Sequence, residues 1–171
     1  MTVISAIENR RSIRKYTSQE VEDEKLNKVL EAARLSPSAR NLQNWKFIVV
    51  RDPEKISELG KAAGSSGFIA QAPVIIAACG TDPEGIMRCG QHRHTVDLSI
   101  ATAYIILAAY EQGLGTCWIG GFDEKMVKEI LNVPDNVRVV AITPLGYPDE
   151  SPAPRPRKKL EDIVCFETYK P

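Results

Sequence analysis

Residues 100–110, IATAYIILAAY, constrain this chain more than any other stretch, because only Thr102 among them is neither apolar nor amphipathic. A helix at a protein surface shows a polar face every 3.6 residues, and none is present here. The run is also shorter than the roughly 18 apolar residues that a membrane span needs. It therefore predicts a buried helix, over about 95–112, that is enclosed on all sides and stopped by Gly113 and Gly115. A chain of 171 residues is the size of one domain. Such a domain has limited room to enclose a helix completely, so the pattern points to a second subunit covering part of it.

The flanking segments predict an alternation of helices and strands. Val3, Ile4 and Ile7 share one face of a short first helix, which runs into a basic stretch at 10–15. Val21, Leu26, Val29, Leu30 and Ala33 mark a second helix over about 21–35, with Ser18 as its cap and Pro37 closing it. Residues 47–50 read as a strand, and Asp52, Pro53 and Glu54 open a helix to about Ala63. Residues 64–67 read as flexible, and 73–79 as a wholly apolar strand covered on both faces. Residues 116–121 form a strand or turn, Asp123 caps a helix to about Leu131, and 137–145 is a further strand. From about 148 the chain is a proline-rich, basic, extended tail. The whole predicts a single layered α+β or α/β domain over 1–171.

Charge and composition exclude several functions. Lys plus Arg equals Asp plus Glu, so the chain lacks the cationic excess expected of a non-specific nucleic-acid binder or a basic membrane-surface protein. The first residues lack the apolar core of a signal peptide, which predicts a cytoplasmic protein with free thiols at Cys79, Cys89, Cys117 and Cys165. Cys89, His92 and His94 invite a zinc reading, but their spacing fits no strong zinc pattern, and the expectation is that no metal is bound.

Four constellations carry the chemistry. Arg10, Arg11, Arg14 and Lys15, with Ser12 among them, suit an anionic ligand, since a guanidinium grips phosphate oxygens in pairs. Taken alone, they also serve simply to offset a helix dipole. Pro37, Ser38, Ala39 and Asn41, with Gln43 and Trp45 beyond, form a loop of short side chains that allows a flat heterocycle to approach, or merely ends a helix before a core tryptophan. Gly113, Gly115, Gly120 and Gly121 let backbone pass close to something bulky, or simply make tight turns. Arg155, Arg157, Lys158 and Lys159 can reach a phosphate from the tail, or remain a solvated run. No nucleophile–base pair, P-loop or metalloprotease motif is present, which fits a reaction whose chemistry a cofactor supplies.

In this order the segments resemble the nitroreductase family of FMN-dependent oxidoreductases. The run from Arg10 through Tyr16 looks like the family's R-(R/H)-S-x-(R/K) signature, and that from Ser36 through Phe47 like its S-P-S-x-x-N-x-Q-P-W-x-F segment. Residues 113–121 look like its G-L-G-(S/T)-x-W-x-G segment, and 155–164 like its closing basic segment. The resemblance implies an α+β fold with a central, mainly antiparallel sheet flanked by helices, in an intertwined homodimer with two FMN sites at the interface. It implies that Arg10, Ser12 and Arg157 or Lys159 hold the FMN phosphate, with Arg11 near the phosphate or ribityl chain. Arg14 would sit by the pyrimidine edge and stabilise the reduced flavin. Pro37, Ser38, Ala39 and Asn41 would come from the other subunit, and Ile119, Gly120 and Gly121 would line the ring.

The activity so implied is hydride transfer from NAD(P)H to a small acceptor (a nitroaromatic, a quinone or a flavin) by a ping-pong mechanism. Two departures from the family pattern bear on the acceptor. Asn44 stands where the family usually has proline, and the chain is short, without the longer helical excursion that often covers the substrate pocket. The alternatives are a flavin-binding sensor or store without turnover, a relative with another acceptor chemistry such as reductive dehalogenation, and a metal-binding or redox-sensing module on Cys89, His92 and His94.

Overall fold

The computed structural model describes residues 2–170. Its elements are, in chain order, α1 (Val3–Asn9), α2 (Asp23–Arg34), β1 (Trp45–Val50), α3 (Pro53–Ala62), α4 (Ser66–Ile69), β2 (Val74–Gly80), α5 (Arg93–Glu111), β3 (Gly115–Thr116), α6 (Glu124–Leu131) and β4 (Arg138–Gly146). Short 3-10 turns occupy Ala39–Asn41 and Leu160–Asp162. The four strands form one sheet in the order β1-β2-β4-β3, with every neighbouring pair antiparallel.

β2 organises the layers. Every residue in it is buried, and successive side chains point to opposite faces. Ile75, Ala77 and Cys79 join Ile56 and Leu59 of α3, Val127 of α6 and Ile142 of β4 in one core. Val74 and Ile76 join Leu26, Val29 and Ala33 of α2, Ile105 and Ala109 of α5, and Leu145 in the other. The sheet is thus covered by helices on both faces, as the unbroken apolar run at 73–79 predicts. Such double coverage is more usual for parallel sheets.

Local chemistry sets the helix ends. The Asp52 carboxylate accepts from the N–H groups of Glu54 and Lys55 ahead of Pro53, and Asp123 accepts from the Met126 N–H. Asn132, at φ 53°, ends α6 in the left-handed region. Ser18 does not cap α2. That helix starts at Asp23 after Glu22, which makes no side-chain cap bond. The preceding residues are drawn off to tertiary partners instead. The Thr17 N–H donates to the Tyr147 carbonyl at 2.9 Å, and Arg51 donates to the Val21 carbonyl at 3.1 Å and to Asp23 at 2.7 Å. Within the stretch read as flexible, Ser66 begins the single-turn helix α4, whose Ile69 is fully buried.

The apolar helix α5 begins two residues earlier than expected, and one chain does not enclose it. Leu98, Ala101, Thr102, Ile105 and Ala109 are buried, but Tyr104 remains 42% exposed. Val3, Ile4 and Ile7 of α1 are exposed too. Between them runs a groove of ≈ 490 Å³ whose lining includes Val3, Ala6, Ile7, Tyr104 and Leu107.

The tail leaves β4 as a strap along the basic segment. Tyr16 bridges Pro148, and the Asp149 N–H donates to the Lys15 carbonyl at 2.9 Å while its carboxylate pairs with Lys15 at 2.7 Å. Beyond it, Leu160, Phe166 and Tyr169 are exposed. Among the described residues no helix is long and apolar enough to cross a membrane. Because Ile75 packs in the inner strand with no solvent contact, Ile75→Ala is expected to destabilise the fold by about 2–5 kcal/mol, read as a lower urea midpoint with little change in slope.

Candidate functional site

The basic segment is held beside β3 and the tail by isolated bridges rather than as a regular strand. Arg10 leaves α1 at φ −59°, ψ 142°, and Ser12 then bridges Thr116 in parallel, with the Ile13 N–H donating to the Thr116 carbonyl at 2.8 Å. The Tyr16 hydroxyl donates to the Ile13 carbonyl at 2.7 Å and closes the following turn. Its burial raises the phenol's pKa far above the ordinary value, so the hydroxyl stays a donor. In an extended segment alternate side chains share a face. Ile13 is buried against Gly115, while Arg10, Ser12 and Arg14 line a cleft of ≈ 660 Å³. Three guanidinium-bearing residues, Arg10, Arg11 and Arg14, and the Ser12 hydroxyl thus meet at one cleft.

The tail completes that cleft. Pro152, Ala153 and Pro154 form its far wall and bring Arg155 and Arg157 to it. Lys159 lies outside the lining and pairs with Glu161 at 3.3 Å. Arg11 reaches the cleft edge, but its Nη1 donates to the Glu8 and Arg10 carbonyls, each at 2.8 Å, and so serves the C-terminal end of α1. Glu8 is the one carboxylate residue of the lining. Glu150, on the neighbouring strap, accepts from the Arg14 backbone N–H. With five arginines against a single carboxylate, the cleft favours a multiply charged anion.

The glycine segment runs beside the basic one. Gly115 and Thr116 pair with Gly146 and Leu145 of β4, and Ile119 exchanges two backbone hydrogen bonds of 3.1 Å with Ile142. Gly120 and Gly121 then present exposed backbone without side chains, beside a partly exposed Trp118. Ile119, Gly120 and Gly121 lie outside the lining of the basic cleft. Between the two segments the buried Cys117 thiol is pushed up in pKa by burial, with Arg14 and Ser12 acting in the opposite direction.

The loop bearing Pro37, Ser38, Ala39 and Asn41 is not brought to the cleft within one chain. The Ser38 hydroxyl accepts the Gln43 N–H at 3.1 Å, the Asn41 N–H donates to the Ser38 carbonyl at 2.9 Å, and the Ala39 N–H donates to Asp97 on α5 at 3.0 Å. Asn44 donates to Asp82 at 3.3 Å, and Asp82 in turn pairs with Arg93 at 3.5 Å. The residue that departs from the family pattern therefore ties the loop to the segment before α5.

Sequence reasoning passed over Asp97 and Glu150. The first had a signal, a single carboxylate just ahead of the apolar run of α5. The second had none, since only the strap's pairing brings it to Arg14. The His92 and His94 rings lie 5.3 Å apart between centroids, tilted at 49° to each other. His94 is buried, and burial, followed by the charges of His92 and Arg138, lowers its pKa. Cys89 is exposed, and no three His, Cys, Asp or Glu side chains among the described residues are grouped as a metal site requires.

This arrangement has close counterparts. The Nitroreductase family profile matches residues 7–67 and 61–147, and the chain belongs to that family. A protein of Methanothermobacter thermautotrophicus, provisionally named an NADH dehydrogenase/NAD(P)H nitroreductase, is 37% identical over 160 residues, covering 91% of this chain and 82% of its own. The FMN reductase (NAD(P)H) of Bacillus subtilis is 31% identical, covering 98% of this chain and 74% of its own. The solved structure of an FMN-dependent nitroreductase from Clostridium difficile superposes with a TM-score of 0.82 at 36% identity, covering 97% of this chain and 99% of that one.

The close approach at Gly115 gives a direct check on how the basic segment is held. A Cβ there would lie 2.7 Å from Ile13 Cγ1 and 2.9 Å from its Cβ. Gly115→Ala is therefore expected to push the Ile13 segment off β3, lowering the melting temperature by several degrees and weakening inorganic phosphate binding at the cleft, measured by calorimetric titration.

Proposed function

We propose that this chain is an FMN-dependent NAD(P)H oxidoreductase, acting in the cytoplasm as a homodimer and passing hydride to a small acceptor such as a nitroaromatic, a quinone or a flavin. The observation that carries the reading is the meeting of Arg10, Ser12 and Arg14 with Arg155 and Arg157 in one cleft, across some 140 residues of sequence. The donor set fits a phosphate monoester. Guanidinium forks and a hydroxyl give paired hydrogen bonds to a dianion, and the exposed backbone at Gly120 and Gly121 leaves room for a flat ring.

When bound, FMN supplies the two-electron chemistry that no side chain here carries. Arg10, Ser12 and Arg157 would hold the phosphate, while Lys159 lies outside the cleft and Arg11 braces the end of α1. Arg14 would place a permanent positive charge at the cleft, suited to a ligand that gains negative charge. Ile119 anchors the Gly120–Gly121 backbone to the sheet, where it would face the ring. The loop with Pro37, Ser38, Ala39 and Asn41 lies away from its own chain's cleft, which supports its serving the site of a second copy. The open apolar stripe formed by α1 and α5 supports the same pairing, since an exposed patch of this kind marks a contact surface. With the cofactor bound, donor and acceptor would share one site in turn, and ping-pong kinetics are expected.

Visible spectra of the purified protein, before and after anaerobic NADH or NADPH, test the reading. Flavin bands that bleach with a nicotinamide and return on adding an acceptor are expected. Bands that neither donor bleaches would make the chain a flavin binder without turnover, and a colourless protein that takes up no FMN would overturn the proposal. Arg10→Ala and Arg157→Ala are each expected to weaken FMN retention about 10- to 100-fold, as loss of a charge-assisted hydrogen bond does. Arg14→Ala is expected to slow flavin reduction at least about tenfold with a smaller effect on retention. Stopped-flow reduction and fluorescence titration separate the two effects.

A further inference from the structure

Asp97 is a buried carboxylate on the second turn of α5, only 6% exposed, whose Oδ1 accepts the Ala39 N–H at 3.0 Å. A buried ionisable group is retained where its hydrogen bonds hold something in place. Here that something is a backbone of unusual shape. Arg40 and Asn41 have φ of 55° and Gln43 has φ of 53°, in the left-handed region that residues other than glycine seldom enter. Three such residues within four positions are a strained run that neighbouring structure must impose. The loop's other side-chain bonds are local, from Ser36 back to Ala33 and between Ser38, Asn41 and Gln43. Among the described residues, Asp97 is the one side chain from outside that hydrogen-bonds residues 36–43.

We infer that Asp97 is a positioning residue for the flavin-side loop, fixing the Ala39–Asn41 turn through the Ala39 N–H so that Ser38, Ala39 and Asn41 are presented to the cofactor. The inference rests on the oxidoreductase reading for the cofactor's identity, whereas the bond from the Ala39 N–H to Asp97 is a feature of the fold. It acts from α5, the same helix whose open stripe faces away from the sheet. Loop shape and the packing of α5 are thereby joined by one bond.

The test compares the parent with Asp97→Asn, which keeps an acceptor oxygen, and Asp97→Ala, which removes it. Hydrogen exchange at the Ala39 amide, followed by NMR in the FMN-free proteins, reads the clamp. Fluorescence titration with FMN reads its consequence, and the melting temperature of the FMN-free proteins reports folding. Asp97→Ala is expected to speed Ala39 exchange at least about tenfold and to weaken FMN binding at least about tenfold, with Asp97→Asn within about threefold of the parent on both. Parent-like Ala39 exchange or FMN affinity in Asp97→Ala would overturn the inference, as would equal losses in both variants. If Asp97→Ala does not fold, Asp97→Leu, which fills the buried site but accepts no hydrogen bond, takes its place: Ala39 exchange is expected to speed at least about tenfold, and parent-like exchange overturns the clamp. A parent protein that takes up no FMN sinks the cofactor reading instead, and leaves the exchange result standing as the test of the clamp.

Discussion

The burial of β2 on both faces is the constraint on which the rest of this structure depends. With odd positions in one core and even positions in the other, the strand can exist only if helices cover the sheet twice over. α3 and α6 meet the first requirement, and α2 and α5 the second. A one-residue slip would exchange the two sets of side chains between cores of different shape, so the register with β1 and β4 is strongly specified. The arginine-lined cleft hangs from the edge of this sandwich, where β3 and the strap after β4 pair with the basic segment.

Those edges explain how an anion site arises from a chain with no net charge. The Ser12–Thr116 bridge lays the basic segment beside β3, and the strap pairs with Lys15 and Tyr16 before turning Arg155 and Arg157 back to the same cleft. Pairing of backbone groups, rather than attraction between charges, brings like charges together. The repulsion among the arginines is tolerated because the cleft is open to water, and a dianion there would relieve it.

Much of this was legible beforehand. The acidic caps at Asp52 and Asp123, the apolar run of β2 and the long helix α5 each follow from local rules that tertiary structure does not overturn. The cap at Ser18 was misjudged because capping competes with longer-range partners, and there Tyr147 and Arg51 win. The stretch around Gly64 was read as flexible on composition alone, although Ile69 anchors its far end in the core. Arg11 sat in a motif with Arg10 and Arg14, yet its position out of phase with them turns it toward the carbonyls of α1.

By itself the sequence determined the longer helices and strands, though not the short α4 or the bounds of β3, together with the two-faced burial of the central strand and the residue types able to hold a phosphate, since these depend on periodicity and side-chain chemistry within a few neighbours. Only the tertiary structure decided which of those residues meet. Arg157 reaches the cleft and Lys159 does not, because the tail's path over the strap sets where each side chain falls. Ala39 is held by Asp97, 58 positions away, because α5 passes beneath the loop. Such contacts depend on how separate layers stack, and spacing along the chain carries no record of that.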